Sequence, residues 1–236
     1  MRNPLQWHPA AVRAHRDLSP TVREFEIRPE GGVRPWTVGS HLNVQVMIDG
    51  RAETRSYSLV GLLGQDDNRE VYRIAVKLAA PSRGGSLHMW SLETGAELNV
   101  GEPNNHFELP LTAKQYLLVA GGIGITPIVG MAQMLSARGA DVRMLYAARS
   151  AAEFALKDVL DSALGARLET FADDAGQRIA FADEIARLHP DALLLMCGPL
   201  PMLDAVRAAW AQSARPPTCA SRPSATAARL PTRPSG

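Results

Sequence analysis

Apolar and polar residues alternate in short runs through residues 10–110, and turn residues break the runs. The clearest is His41-Leu-Asn-Val-Gln-Val-Met-Ile48, whose period of two predicts a strand with one buried face. Similar runs at Val12–Arg16, Val22–Arg28, Arg55–Val60, Tyr72–Val76 and Glu97–Val100 predict further strands. Gly31-Gly32, Asp49-Gly50, Gly84-Gly85 and Glu102-Pro103 supply the turns between them. Many short strands at this spacing predict a small antiparallel barrel over residues 8–112.

From Lys114 the period changes. The apolar run Gln115–Ala120 enters Gly121-Gly122-Ile123-Gly124, and helical spacing follows over Pro127–Arg138. Strands at Val142–Ala147, Arg167–Phe171 and Ala192–Met196 alternate with helices at Glu153–Leu164, Phe181–Leu188 and Pro201–Trp210. This alternation predicts a parallel sheet with helices on its faces, over residues 113–210. The expected fold is therefore a β-barrel followed by an α/β domain. From 211 to 236 the chain holds five prolines and no acidic or aromatic residue, which predicts a disordered tail.

Composition removes several classes of function. With 25 Lys+Arg against 24 Asp+Glu, no charge excess favours nucleic acid or an anionic membrane. Neither a signal peptide nor a membrane-length apolar run is visible, so a cytoplasmic protein, most simply a monomer, is expected. Cys197 and Cys219 form no disulfide framework or metal site, and the six histidines have no metal-ligand spacing.

Four motifs carry candidate chemistry. Arg55-Ser56-Tyr57-Ser58 offers a cation, an aromatic ring and hydroxyls along one strand, as a phosphate-bearing ring cofactor requires. Arg83-Gly84-Gly85-Ser86 lets backbone approach a phosphate. Gly121-Gly-Ile-Gly124-Ile-Thr126-Pro127 joins a buried strand to a helix, with Thr126 expected as the cap and Pro127 at the first helical position. Cys197-Gly198-Pro199 ends the last strand, where a parallel sheet binds ligands. Read singly, each also fits a bland structural role: a solvated arginine, a plain turn, a helix entry, a buried thiol.

Together these strings, with Tyr72-Arg-Ile-Ala-Val76-Lys77, resemble the ferredoxin–NADP reductase superfamily, in its phthalate dioxygenase reductase and vanillate demethylase reductase branch. The resemblance covers roughly residues 8–210 and implies a flavoprotein that passes electrons from a pyridine nucleotide. Carried over by position, it implies that Arg55, Ser56, Tyr57 and Ser58 hold the flavin, with Val76 and Lys77 contributing. Gly85 and Ser86 would bind its phosphate, which suits FMN, with FAD as the alternative. Gly121, Gly122, Gly124, Thr126, Pro127, Cys197, Gly198 and Pro199 would line the nicotinamide site, with Ser58 and Cys197 nearest the chemistry. Asp173, beside Asp174, stands where a 2′-phosphate would need positive charge, which points to NADH, although Arg149 is a counter-signal.

Such relatives carry a C-terminal ferredoxin domain whose four cysteines hold a 2Fe–2S cluster, and this chain has no such ligands. Back-translation of Thr218–Ala228 with permitted codons gives LRFETFGNSG in another frame, resembling the segment that leads to that domain. A shifted reading frame near Thr218 is therefore expected. The implied partner is a Rieske-type oxygenase or a ferredoxin. Two other readings stay open: a stand-alone flavin, ferredoxin or ferric reductase, and a flavin-binding product without turnover.

Overall fold

The computed structural model describes residues 6–62, 64, 70–213 and 219–223. The first half is antiparallel. Strands β1 (His8–Ser19), β2 (Val22–Pro29), β3 (Ser40–Ile48), β4 (Arg51–Ser58), β5 (Tyr72–Lys77) and β6 (Glu97–Val100) run in the order β4-β3-β6-β1-β2-β5. A short β7 (Asn104–Asn105) pairs with β3. A bridge between Leu59 and Ile74, with Val60 N–H donating to the Arg73 carbonyl at 2.8 Å, joins the two ends of this sheet into a barrel. Alternate residues fill it: Phe25 and Ile27 from β2, Leu42, Val44 and Val46 from β3, Ile74 and Val76 from β5. A helix absent from the sequence expectation, α1 (Gly85–Trp90), follows Gly84 at φ 90°. The Trp90 indole fastens it by donating to the Val76 carbonyl at 3.0 Å.

The second half is a parallel sheet. Strands β8 (Gln115–Gly121), β9 (Val142–Ala148), β10 (Leu168–Ala172), β11 (Ala192–Gly198) and β12 (Cys219–Pro223) lie in the order β10-β9-β8-β11-β12. Helices α2 (Ile125–Ala137) and α3 (Lys157–Leu164) cover one face, and α4 (Phe181–Ala186) and α5 (Leu200–Gln212) cover the other. Two expectations are corrected. Residues 211–212 complete α5, and residues 219–223 form an ordered strand, because the open edge of β11 supplies hydrogen-bond partners that composition does not reveal. Thr218 and residues 224–236 lie outside the described residues. None of the described helices is long and apolar enough to cross a membrane.

The two halves share one apolar core. Val22, Val60, Leu62, Ala75 and Phe107 of the barrel pack in the same cluster as Ile128, Val129, Met131 and Ala132 of α2. Approach is close enough that a Cβ on Gly130 would lie 2.5 Å from the Gly61 carbonyl oxygen. The barrel is therefore fixed across the carboxyl ends of β8 and β9.

At this seam β3 buries His41, 8% exposed, with its ring centroid 5.3 Å from that of His106. Burial pushes the imidazole down to about 4, and the Arg222 and His106 charges add to this, against a backbone hydrogen bond at Asn104. The folded state therefore resists a proton that the unfolded chain accepts near the ordinary histidine value of about 6.5. This contribution is complete above that value and is lost as pH falls toward about 4. Urea unfolding at about pH 7 and about pH 5 should show a loss of stability that His41→Gln largely removes. An equal loss in both proteins would assign the effect to other groups.

Candidate functional site

A cavity of about 420 Å³ opens at the side of the barrel, walled by β4, the end of β5 and the start of α1. Arg55 and Tyr57 project into it together because a strand sends residues i and i+2 to one face. Lys77, Arg83, Gly85 and Ser86 complete the polar lining. Arg55, Lys77 and Arg83 give this cavity three cations and no lining carboxylate, a field suited to a phosphate. Arg55 meanwhile pairs with Glu53 at 2.8 Å and donates to the Thr54 carbonyl at 3.0 Å. Gly85 lies so near it that a Cβ there would stand 2.7 Å from Arg55 Nε. Ser86 Oγ accepts from Ala79 N–H at 3.2 Å and meets Ser82 Oγ at 3.0 Å, so the loop and the β5 exit hold each other. Burial pushes the Tyr57 hydroxyl up to about 12, partly offset by Arg55, so it stays a neutral donor at physiological pH.

A second cavity, about 540 Å³, lies over the carboxyl ends of β8 and β9. Gly121, Gly122, Pro199, Arg149, Asp173 and Glu153 are among its walls. It sits where the parallel sheet reverses its order, between β8 and β11, the usual position of a ligand crevice. Close contact makes the crevice. A Cβ on Gly121 would lie 2.6 Å from Pro199 Cδ, and one on Gly198 would lie 3.2 Å from Gly121 N. Gly122, at φ 52°, turns the chain into a 3-10 turn over Gly122–Gly124. The two cavities meet: Lys77, Ala79, Ala80 and Ile123 line both.

The cavities thus gather Arg55, Tyr57, Lys77, Gly85, Ser86, Gly121, Gly122, Asp173 and Pro199. Other expected residues stand back from them. Ser56 and Ser58 fall on the opposite face of the strand from Arg55 and Tyr57, and Ser56 Oγ bonds Asn43 instead. Val76 points into the barrel core. Thr126 and Pro127 are buried within α2, which begins at Ile125 rather than at Pro127. Thr126 therefore caps nothing with its side chain; its hydroxyl donates to the Ile123 carbonyl at 3.0 Å. Gly124 and Gly198 serve the packing under the crevice. Cys197 is 2% exposed, and burial pushes its thiol up to about 12 against a small opposing effect of Arg222. It is a neutral core group here, not a thiolate.

The sequence reading passed over Thr21, Ile123 and Glu153. Thr21 and Glu153 meet across the domains 132 residues apart, which no local pattern signals. Among the described residues, no cluster of three His, Cys, Asp or Glu side chains could hold a metal ion.

Residues 118–208 match the family described as "Oxidoreductase NAD-binding domain". The chain is 38% identical over 207 residues to a putative toluene-4-sulfonate monooxygenase system reductase subunit of Comamonas testosteroni, covering 86% of this chain and 64% of that protein. It is 35% identical to a tetrachlorobenzoquinone reductase of Sphingobium chlorophenolicum, covering 89% and 66%. The chain thus spans somewhat less than two thirds of these relatives. Among solved structures, phthalate dioxygenase reductase superposes with a TM-score of 0.81 at 28% identity, over 92% of this chain and 68% of that one.

Proposed function

Because the chain belongs to the ferredoxin-reductase-like oxidoreductases, we propose that it holds FMN in the barrel cavity and oxidises NADH in the adjoining crevice. It then passes the electrons to an oxygenase or a ferredoxin. The flavin, when bound, supplies the acceptor for a hydride and the means of releasing electrons singly. The protein's own work is placement. Arg55 and Arg83 hold the phosphate, Tyr57 packs beside the ring system, and Gly121 and Gly122 admit the nucleotide. Ile123 and the Lys77–Ala80 segment exclude water where the cavities join. That junction is the observation that carries the reading, since hydride transfer requires the donor and acceptor atoms to come into contact with their orbitals aligned.

Titrating the purified chain with FMN and with FAD tests the first half of this reading. One FMN per chain, bound more tightly than FAD, is expected. Absence of binding by either flavin would refute it.

NADH should be preferred over NADPH. Asp173 and Asp174 open the 3-10 turn that follows β10 beside the crevice, and Asp173 lines it. Arg178 answers Asp173 at 2.8 Å, and Arg149 lines the same crevice, so the preference rests on one carboxylate. Asp173→Ala should release the Arg178 guanidinium toward a 2′-phosphate, remove the carboxylate that faces it, and narrow the ratio of kcat/KM values by about tenfold. An unchanged ratio would remove Asp173 from the ribose site.

A further inference from the structure

Three barrel side chains converge on one carboxylate of the other domain. Glu153 closes a 3-10 turn, Ala151–Glu153, that leaves β9 at the rim of the crevice. Its Oε2 accepts a hydrogen bond from Thr21 Oγ1, lies 3.5 Å from Ser19 Oγ and stands 3.8 Å from Lys77 Nζ. The side chain of Glu153 is 12% exposed. A carboxylate this enclosed needs partners, and these three come from the barrel. The turn itself is held by Glu153 N–H donating to the Ser150 carbonyl at 3.1 Å.

The connection continues into the shared wall of the two cavities. The Thr21 carbonyl accepts from Leu78 N–H at 2.8 Å, immediately beyond Lys77. Ala79 N–H donates to Ser86 Oγ, in the loop that lines the barrel cavity. One line of contacts therefore runs from Glu153 through Thr21 to Leu78 and Ala79, and on to Ser86. Apolar packing against α2 fixes the domains deep in the seam; Glu153 fixes them at the open rim.

We propose that Glu153 is a positioning residue that clamps the barrel to the α/β domain across the crevice, setting how closely a nicotinamide approaches the flavin site. This inference rests on the proposed function. Its logic is that hydride transfer is far steeper in donor–acceptor geometry than binding of the nucleotide is. The contacts made by Glu153 therefore act more on the rate of reduction than on nucleotide affinity.

The test uses the FMN-loaded full chain and four variants: Glu153→Ala, Glu153→Gln, Thr21→Val and Thr21→Ser. Three quantities are read: the affinity for ADP-ribose, the limiting rate of flavin reduction at saturating NADH, and hydrogen exchange at the Leu78 amide without nucleotide. Glu153→Ala and Thr21→Val should slow reduction by about tenfold to a hundredfold, far more than they weaken ADP-ribose binding. Both should also speed exchange at Leu78. Glu153→Gln, which can still accept from Thr21 but loses its charge toward Lys77, should fall between. Thr21→Ser, which keeps the hydroxyl, should behave as the parent. Loss of ADP-ribose affinity in step with the rate would make Glu153 a local support of its own domain and overturn the clamp. Unchanged reduction and exchange would overturn it as well. If the parent protein shows no reduction by NADH, the functional reading fails; Leu78 exchange still decides whether the clamp exists.

Discussion

Gly124→Ala is expected to slow NADH-dependent reduction sharply and to destabilise the protein. The added Cβ would stand 2.1 Å from the Cys197 carbonyl oxygen, 2.5 Å from its carbon and 2.9 Å from Gly198 N. All three are backbone atoms at the end of β11, so no side-chain rotation relieves the overlap. The start of α2 and the end of β11 must separate, and the crevice lies on that junction. Overpacking of this kind costs roughly 1–3 kcal/mol or more. A shift of about 1 Å in the loop would lower kcat/KM by about a hundredfold. Thermal unfolding and steady-state kinetics read the two effects separately. Gly31→Ala is the control, since nothing lies within 4 Å of a Cβ there. Parent-like kinetics in Gly124→Ala would mean that the loop does not shape the nucleotide site.

Arg55→Ala should loosen FMN by about tenfold to a hundredfold, the range for removing one charge-assisted partner from a phosphate. Arg55 is the candidate because it lies between Tyr57 and Gly85 on the cavity wall, with its guanidinium only partly exposed. It also pairs with Glu53, so Glu53→Gln should tighten flavin binding by freeing the guanidinium. Quenching of FMN fluorescence on binding gives both constants. Parent affinity in Arg55→Ala would transfer the phosphate to Arg83 and Lys77.

Much of the architecture was legible because each half keeps a single period. The alternation in β3 and the apolar runs of β8, β9 and β11 each state which faces are buried. What stayed hidden has physical causes. Helix α1 has six residues, too few for a helical period to show, and β12 depends on the free edge of β11 rather than on its own pattern. At the site, motif reading assigned Ser56 and Ser58 with Arg55 and Tyr57, but the pleat divides them between two faces. Gly124, Thr126 and Cys197 belong to the support beneath the crevice rather than to its surface, and a motif string does not separate the two. Glu153 was invisible because its meaning lies wholly in Thr21 and Lys77 on the other domain.

The two joined cavities are proposed to form one site for flavin and nicotinamide. Anaerobic mixing of the FMN-loaded chain with NADH in a stopped-flow spectrometer tests it most directly. Rapid bleaching of the flavin absorbance is expected, at a rate that saturates with NADH and is sharply reduced in Gly124→Ala. A flavin that binds stoichiometrically yet keeps its oxidised spectrum in excess NADH and NADPH would contradict it.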